Sequence, residues 1–172
     1  HRLRAVTALS RDLIPVIGFS FYTWNAAEFI DLIGKLKRDL PQLLAIGGGP
    51  HIQQAEDYLG TDPVDVVVLG EGEITFAALL DASGASEWEN IEGIAYLDKG
   101  ELPRTTKRER AKNLEVFPSP LDVLELTDEN GEPLYESISY ETSRGCPFRC
   151  AFCEWGTGAI GGKMYQWSME RI

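Results

Sequence analysis

Apolar and polar positions change period repeatedly over residues 1–80. Leu3, Val6, Leu9 and Leu13 share one face of a short opening helix that Pro15 ends. Val16-Ile17-Gly18-Phe19-Ser20 is an apolar run of the length a buried strand needs. Asn25 then offers an N-cap, with Glu28 three residues on as a capping-box partner. Phe29, Leu32, Ile33, Leu36 and Leu40 follow at helical spacing until Pro41 stops the run. Residues 43–46 and 64–69 predict two more strands, each running into glycine. Between them Ile52, Ala55 and Leu59 mark a helix closed by Gly60, and another helix starts at Ile74. Strands that are apolar throughout, separated by amphipathic helices, suit a parallel sheet covered on both faces. Residues 1–84 are therefore expected to form a partial doubly wound α/β sheet, with three strands where such sheets usually hold about five. The chain starts at His1 rather than Met, so the remaining strands are expected upstream.

After residue 84 the pattern changes. Ile94-Ala95-Tyr96-Leu97, a turn at Asp98-Lys99-Gly100, and residues 102–106 predict a β-hairpin. Phe117-Pro118-Ser119-Pro120 predicts a stiff linker, so 85–134 is expected to bridge two domains rather than join either core. Residues 135–142 alternate apolar and polar and read as a strand leading into a cysteine loop, opening a second domain over 135–172.

Composition narrows the function. The 44% apolar and 25% charged residues are those of a globular protein. No apolar run approaches the ~18 residues a membrane span needs, and no signal peptide opens the chain, so a cytoplasmic protein with no membrane partner is expected. The 27 Asp+Glu against 16 Lys+Arg give a formal charge of -11, which repels a phosphate backbone and argues against nucleic acid as a partner. The basic cluster Lys107, Arg108, Arg110 and Lys112 is interrupted by Glu109 and reads as a solvated hairpin end or linker.

All three cysteines fall within one eight-residue window, Cys146-x-x-x-Cys150-x-x-Cys153, and none precedes it. An odd, clustered set is a poor disulfide framework. Thiolates are soft ligands for iron–sulfur clusters or zinc. Structural zinc wants four protein ligands, and the only histidines, His1 and His51, are distant in sequence. Arg144-Gly145-Cys146-Pro147-Phe148-Arg149-Cys150-Ala151-Phe152-Cys153 resembles the radical S-adenosylmethionine signature. The resemblance implies a 4Fe-4S cluster on Cys146, Cys150 and Cys153, with S-adenosylmethionine on the open iron. The backbone around Phe152 would then contact the adenine. It further implies an electron donor such as flavodoxin or ferredoxin, and a barrel of which this chain holds only the first strand and cluster loop. The 172 residues alone are expected to be inactive.

The strand-end loops extend the resemblance. Gly18-Phe19-Ser20 and Thr23-Trp24-Asn25, then Gly48-Gly49-Pro50-His51, then Gly70-Glu71-Gly72-Glu73, precede hairpin, linker and cysteines in the order found in cobalamin-binding radical S-adenosylmethionine proteins. The likeness implies a flavodoxin-like cobalamin-binding domain at 1–84. Its cobalamin contacts would be Ser20, Thr23, Gly48, Gly49, Gly70 and Glu71, with His51 either near the corrin face or bonded locally. Trp24 is expected to pack rather than touch ligand. The Asp-x-His-x-x-Gly motif of cobalamin mutases is absent. The implied activity is methyl transfer to an unactivated carbon or phosphorus of a small-molecule substrate. Two alternatives are a radical enzyme whose sheet domain no longer binds cobalamin, and a non-catalytic cobalamin or iron–sulfur binding protein.

Overall fold

The computed structural model describes residues 15–172 apart from 53, 83, 84, 123, 149 and 154–162. The opening helix expected through Leu13 lies outside the described residues. The chain divides into two compact units, with the break after Glu109.

Three parallel strands and one antiparallel strand build the first unit. β1 (Val16–Ser20) pairs β2 (Leu44–Gly48) from Val16 opposite Leu44 to Ser20 opposite Gly48. β2 pairs β3 (Val66–Val68) with Ile46 opposite Val66. β4 (Ile94–Tyr96) runs antiparallel beside β3, giving the order β1-β2-β3-β4. Helix α1 (Ala26–Asp39) links β1 to β2, and α2 (Glu73–Asp81) follows β3.

Side chains alternate across a strand with period two, so β2, β3 and β4 each feed two cores. On one face Phe19, Ala45, Val67 and Ala95 meet Ile33 of α1. The small alanines leave room for an aromatic group in which Phe21 lies 5.1 Å from Tyr58 and 5.9 Å from Phe29, ring centre to ring centre. On the other face Ile46, Val66, Val68 and Ile94 pack with Leu79 of α2 and Trp88. A mixed α/β unit with a parallel sheet and helices on both faces is the result.

Several expectations need correction. The helix marked by Ile52, Ala55 and Leu59 reduces to one 3-10 turn, Ala55–Asp57. The hairpin forms, with positive φ at Lys99 and Gly100 as its two-residue turn demands, but its first strand is β4 of the sheet. Ile94 and Ala95 are fully buried, so the segment after 84 joins a core instead of bridging. The run at 94–96 is apolar at every position, so β4 has two faces to bury, which a free linker strand would leave wet.

In the second unit, Leu114 and Phe117 are buried, so the proline-rich stretch is a packed element and not a spacer. Arg171 donates to the Phe117 carbonyl there. The strand expected over 135–142 does not form; β5 (Ser143–Gly145) pairs antiparallel with β6 (Met164–Gln166) instead. Strand alternation stabilises only against a partner and a covered face, and residues 135–139 are exposed. Among the described residues no helix is long and apolar enough to cross a membrane.

Candidate functional site

Parallel neighbours end on the same side, so the loops after β1, β2 and β3 share one sheet edge. Ligands of open α/β sheets bind beyond such carboxyl ends. The first two loops are zipped together by their backbones. The Phe21 N–H donates to the Gly48 carbonyl at 2.7 Å, and the His51 N–H donates to the Phe21 carbonyl at 3.1 Å. Asn25 occupies the N-cap of α1, yet its side chain does not cap the helix. It accepts from the Tyr22 N–H at 2.7 Å and donates to the Ser20 carbonyl at 3.1 Å. An amide carries both a donor and an acceptor, and the loop ahead of the helix offers one partner for each.

The candidate glycines differ in what they do. Gly49 has φ +100°, and a Cβ there would lie 2.7 Å from the Phe21 oxygen and 2.8 Å from its nitrogen. Only glycine lets these two loops touch. A Cβ on Gly48 would meet Val68 at an ordinary 3.7 Å. Gly70 has φ +95° with nothing within 4 Å, so its backbone stands open. Glu71 follows it, half-buried, before α2 begins.

Ser20 and Thr23 are exposed on the first loop. Thr23 Oγ1 lies 3.4 Å from His51 Nδ1, and the His51 ring meets Tyr58 edge-on at 6.4 Å. His51 thus has local partners. Burial, with help from Asp57 and Asp62, raises the pKa of the Tyr58 phenol. Trp24 corrects the expectation of packing: it is 77% exposed and stacks on Tyr22 at 4.7 Å with an interplanar angle of 17°. A stacked pair with the indole exposed beside the strand-end loops is a flat apolar surface for a ligand. The alternation Tyr22-x-Trp24 was its only trace in the sequence, and in a loop that spacing carries no fixed geometry.

In the second unit Cys146 directly follows β5, and the Cys153 N–H closes a turn onto the Cys150 carbonyl at 3.0 Å. None of the three cysteines is in a disulfide; Cys146 and Cys153 are half-buried and Cys150 is exposed. Phe152 is 93% exposed. Among the described residues no group of three or more His, Cys, Asp or Glu side chains is gathered to hold a metal. The thiols fit an iron–sulfur cluster in number, kind and placement on one loop, and such sites seldom assemble ahead of their metal. Arg144, beside the loop, pairs with Glu141 at 2.9 Å and lies over the rings of Phe117 and Trp167 at 5.2 and 5.8 Å. The strand-end loops fit cobalamin in their own way, through open glycine backbone at Gly70 and a stacked aromatic pair with Trp24 exposed.

Comparison with known proteins gives this geometry its context. Residues 3–80 match the B12 binding domain family. The chain is 31% identical over 155 residues to the cobalamin-dependent radical SAM methyltransferase TokK of Streptomyces tokunonensis, covering 84% of this chain and 22% of that protein. It is 30% identical over 154 residues to the 2-(S-pantetheinyl)-carbapenam-3-carboxylate methyltransferase of Streptantibioticus cattleyicolor, again over 84% of this chain and 22% of the relative. The hopanoid C-3 methylase of Methylococcus capsulatus is 32% identical over 165 residues, 91% of this chain and 31% of that enzyme. The chain therefore spans under a third of the length of these relatives. On the matched domain and these relatives, the chain belongs to the B12-binding-domain-containing radical S-adenosylmethionine proteins.

Proposed function

We propose that the full-length protein is a cobalamin-dependent radical S-adenosylmethionine methyltransferase acting on an unactivated carbon, or phosphorus, of a small molecule. One observation carries the reading: the three glycine-bearing loops of the region matching the B12 binding domain converge on one edge of the parallel sheet. In this reading Ser20, Gly48, Gly70 and Glu71 line the cobalamin slot, while Gly49 keeps its two walls in contact. Thr23 and His51 form one rim, and Tyr22 with Trp24 presents an apolar surface to the ligand. Cys146, Cys150 and Cys153 would hold a 4Fe-4S cluster, with the backbone at Phe152 against the adenine of S-adenosylmethionine. Residues 143–153 then form the first strand and cluster loop of a radical barrel.

When bound, cobalamin supplies a transferable methyl group, and the cluster supplies the electron that cleaves S-adenosylmethionine. The chain's own task is to hold both and keep water out. An external one-electron donor such as flavodoxin or ferredoxin completes the scheme. Support comes from the methyltransferase relatives, while the substrate is left open by them.

The test is anaerobic reconstitution of the full-length protein and of a variant with all three cysteines replaced by alanine. About four irons and four sulfides per chain, together with reductive cleavage of S-adenosylmethionine, are expected of the unaltered protein only. Equal iron and sulfide in the variant would remove the assignment.

A further inference from the structure

We propose that Thr75 and Arg108 are positioning residues for the loop 70–72, and through it for bound cobalamin; this rests on the cobalamin reading above. Thr75, in the first turn of α2, is completely buried. Its hydroxyl donates to the Glu92 carbonyl at 3.2 Å and accepts from Arg108 Nε at 2.8 Å. The same guanidinium reaches the Glu92 carboxylate at 3.5 Å through Nη1. Arg108, expected as part of a solvated hairpin end, is instead a tie between the hairpin and α2.

Gly93 completes the clamp. Its N–H donates to the Thr106 carbonyl, and its own carbonyl accepts the Leu69 N–H, both at 2.8 Å. It has φ +79°, and a Cβ there would sit 3.2 Å from Arg108 Cβ and 3.4 Å from both Thr75 Oγ1 and the Leu69 oxygen. Leu69, Thr75 and Arg108 thus meet around one glycine.

The loop 70–72 lies between two of these anchors, Leu69 before it and Thr75 after it. Around Gly70 itself a Cβ would meet nothing within 4 Å, so packing does little to fix the backbone there. Its two ends are held by Leu69 and Thr75. A loop already held in its binding form loses less freedom when the ligand arrives, and that saving appears as affinity. Lysine cannot replace Arg108, because the hydroxyl and the carboxylate are served by different nitrogens of one planar group.

The experiment titrates the full-length protein with hydroxocobalamin by visible absorbance, alongside amide exchange over 69–76. Thr75→Val, Arg108→Ala and Arg108→Lys are each expected to bind roughly tenfold more weakly and to exchange faster at 69–76, with β1 and β2 unchanged. Thr75→Ser keeps the hydroxyl and is expected to bind like the unaltered protein. Should Arg108→Ala fail to fold, Arg108→Lys carries the arginine arm. Wild-type affinity in Thr75→Val and Arg108→Lys would overturn the positioning role and leave the cobalamin reading standing. A Thr75→Ser as weak as Thr75→Val would overturn the hydroxyl's part. No binding by the unaltered protein would overturn both readings together.

Discussion

Gly48 and Gly49 stand side by side at the end of β2, yet one added methyl group separates them. At Gly49 it would overlap the Phe21 backbone in a left-handed conformation that costs an alanine about 1–3 kcal/mol before any overlap is counted. At Gly48 it would make an ordinary contact with Val68, where a compatible glycine-to-alanine change adds up to about 1 kcal/mol of stability. Urea unfolding should therefore show Gly49→Ala clearly destabilised and Gly48→Ala unchanged or slightly firmer. Equal loss in both would mean that the two loops do not pack as described. The sequence pair is symmetrical to a reader; only the backbone angle and the nearness of Phe21 distinguish them. Trp24 teaches the same lesson in reverse. Its residue type argues for burial, but it follows the strand in a loop whose backbone turns it outward onto Tyr22.

At the scale of elements, α1 was legible because its apolar spacing, Asn25 and Pro41 all agree, and β1 because its run is apolar throughout. The region 52–59 misled because three apolar residues at helical spacing also suit a 3-10 turn tucked under an aromatic cluster. Nor could the alternation over 135–142 announce that pairing begins one residue later, at Ser143, since a strand is defined by a partner distant in sequence. The outer part of the second unit is tied by Glu115. Its carboxylate accepts the Ser168 N–H at 2.7 Å and meets Arg171 at 3.2 Å. The Ser168 bond first, and Arg171 after it, hold its pKa below the usual glutamate value. A lowered carboxylate stabilises fully above the unfolded value, about 4.3, and its contribution disappears as pH falls through the lowered one. Amide protection at Ser168, corrected for intrinsic exchange, should thus fall on acidification below about pH 4. In Glu115→Gln that pH dependence should vanish. An identical profile in the variant would exclude Glu115 as its source.

Across the whole chain, the reading of the fold that carried furthest was local: the alternation of buried strands with helices. What stayed hidden depends on contacts between distant residues, such as β4 closing onto β3 and Arg108 reaching Thr75. The antiparallel β4 in particular moves the edge of the first unit to Glu109, because Ile94 and Ala95 complete cores on both faces of the sheet. The strand-end loops of this unit are proposed to hold cobalamin. Titration of the full-length protein with hydroxocobalamin, compared with Gly48→Leu and Trp24→Ala, tests it most directly. The expected result is saturable binding of about one cobalamin per chain, with each variant folded and roughly tenfold weaker or more. Saturable binding of equal strength by all three proteins would contradict the site, and no binding by the unaltered protein would contradict the claim itself.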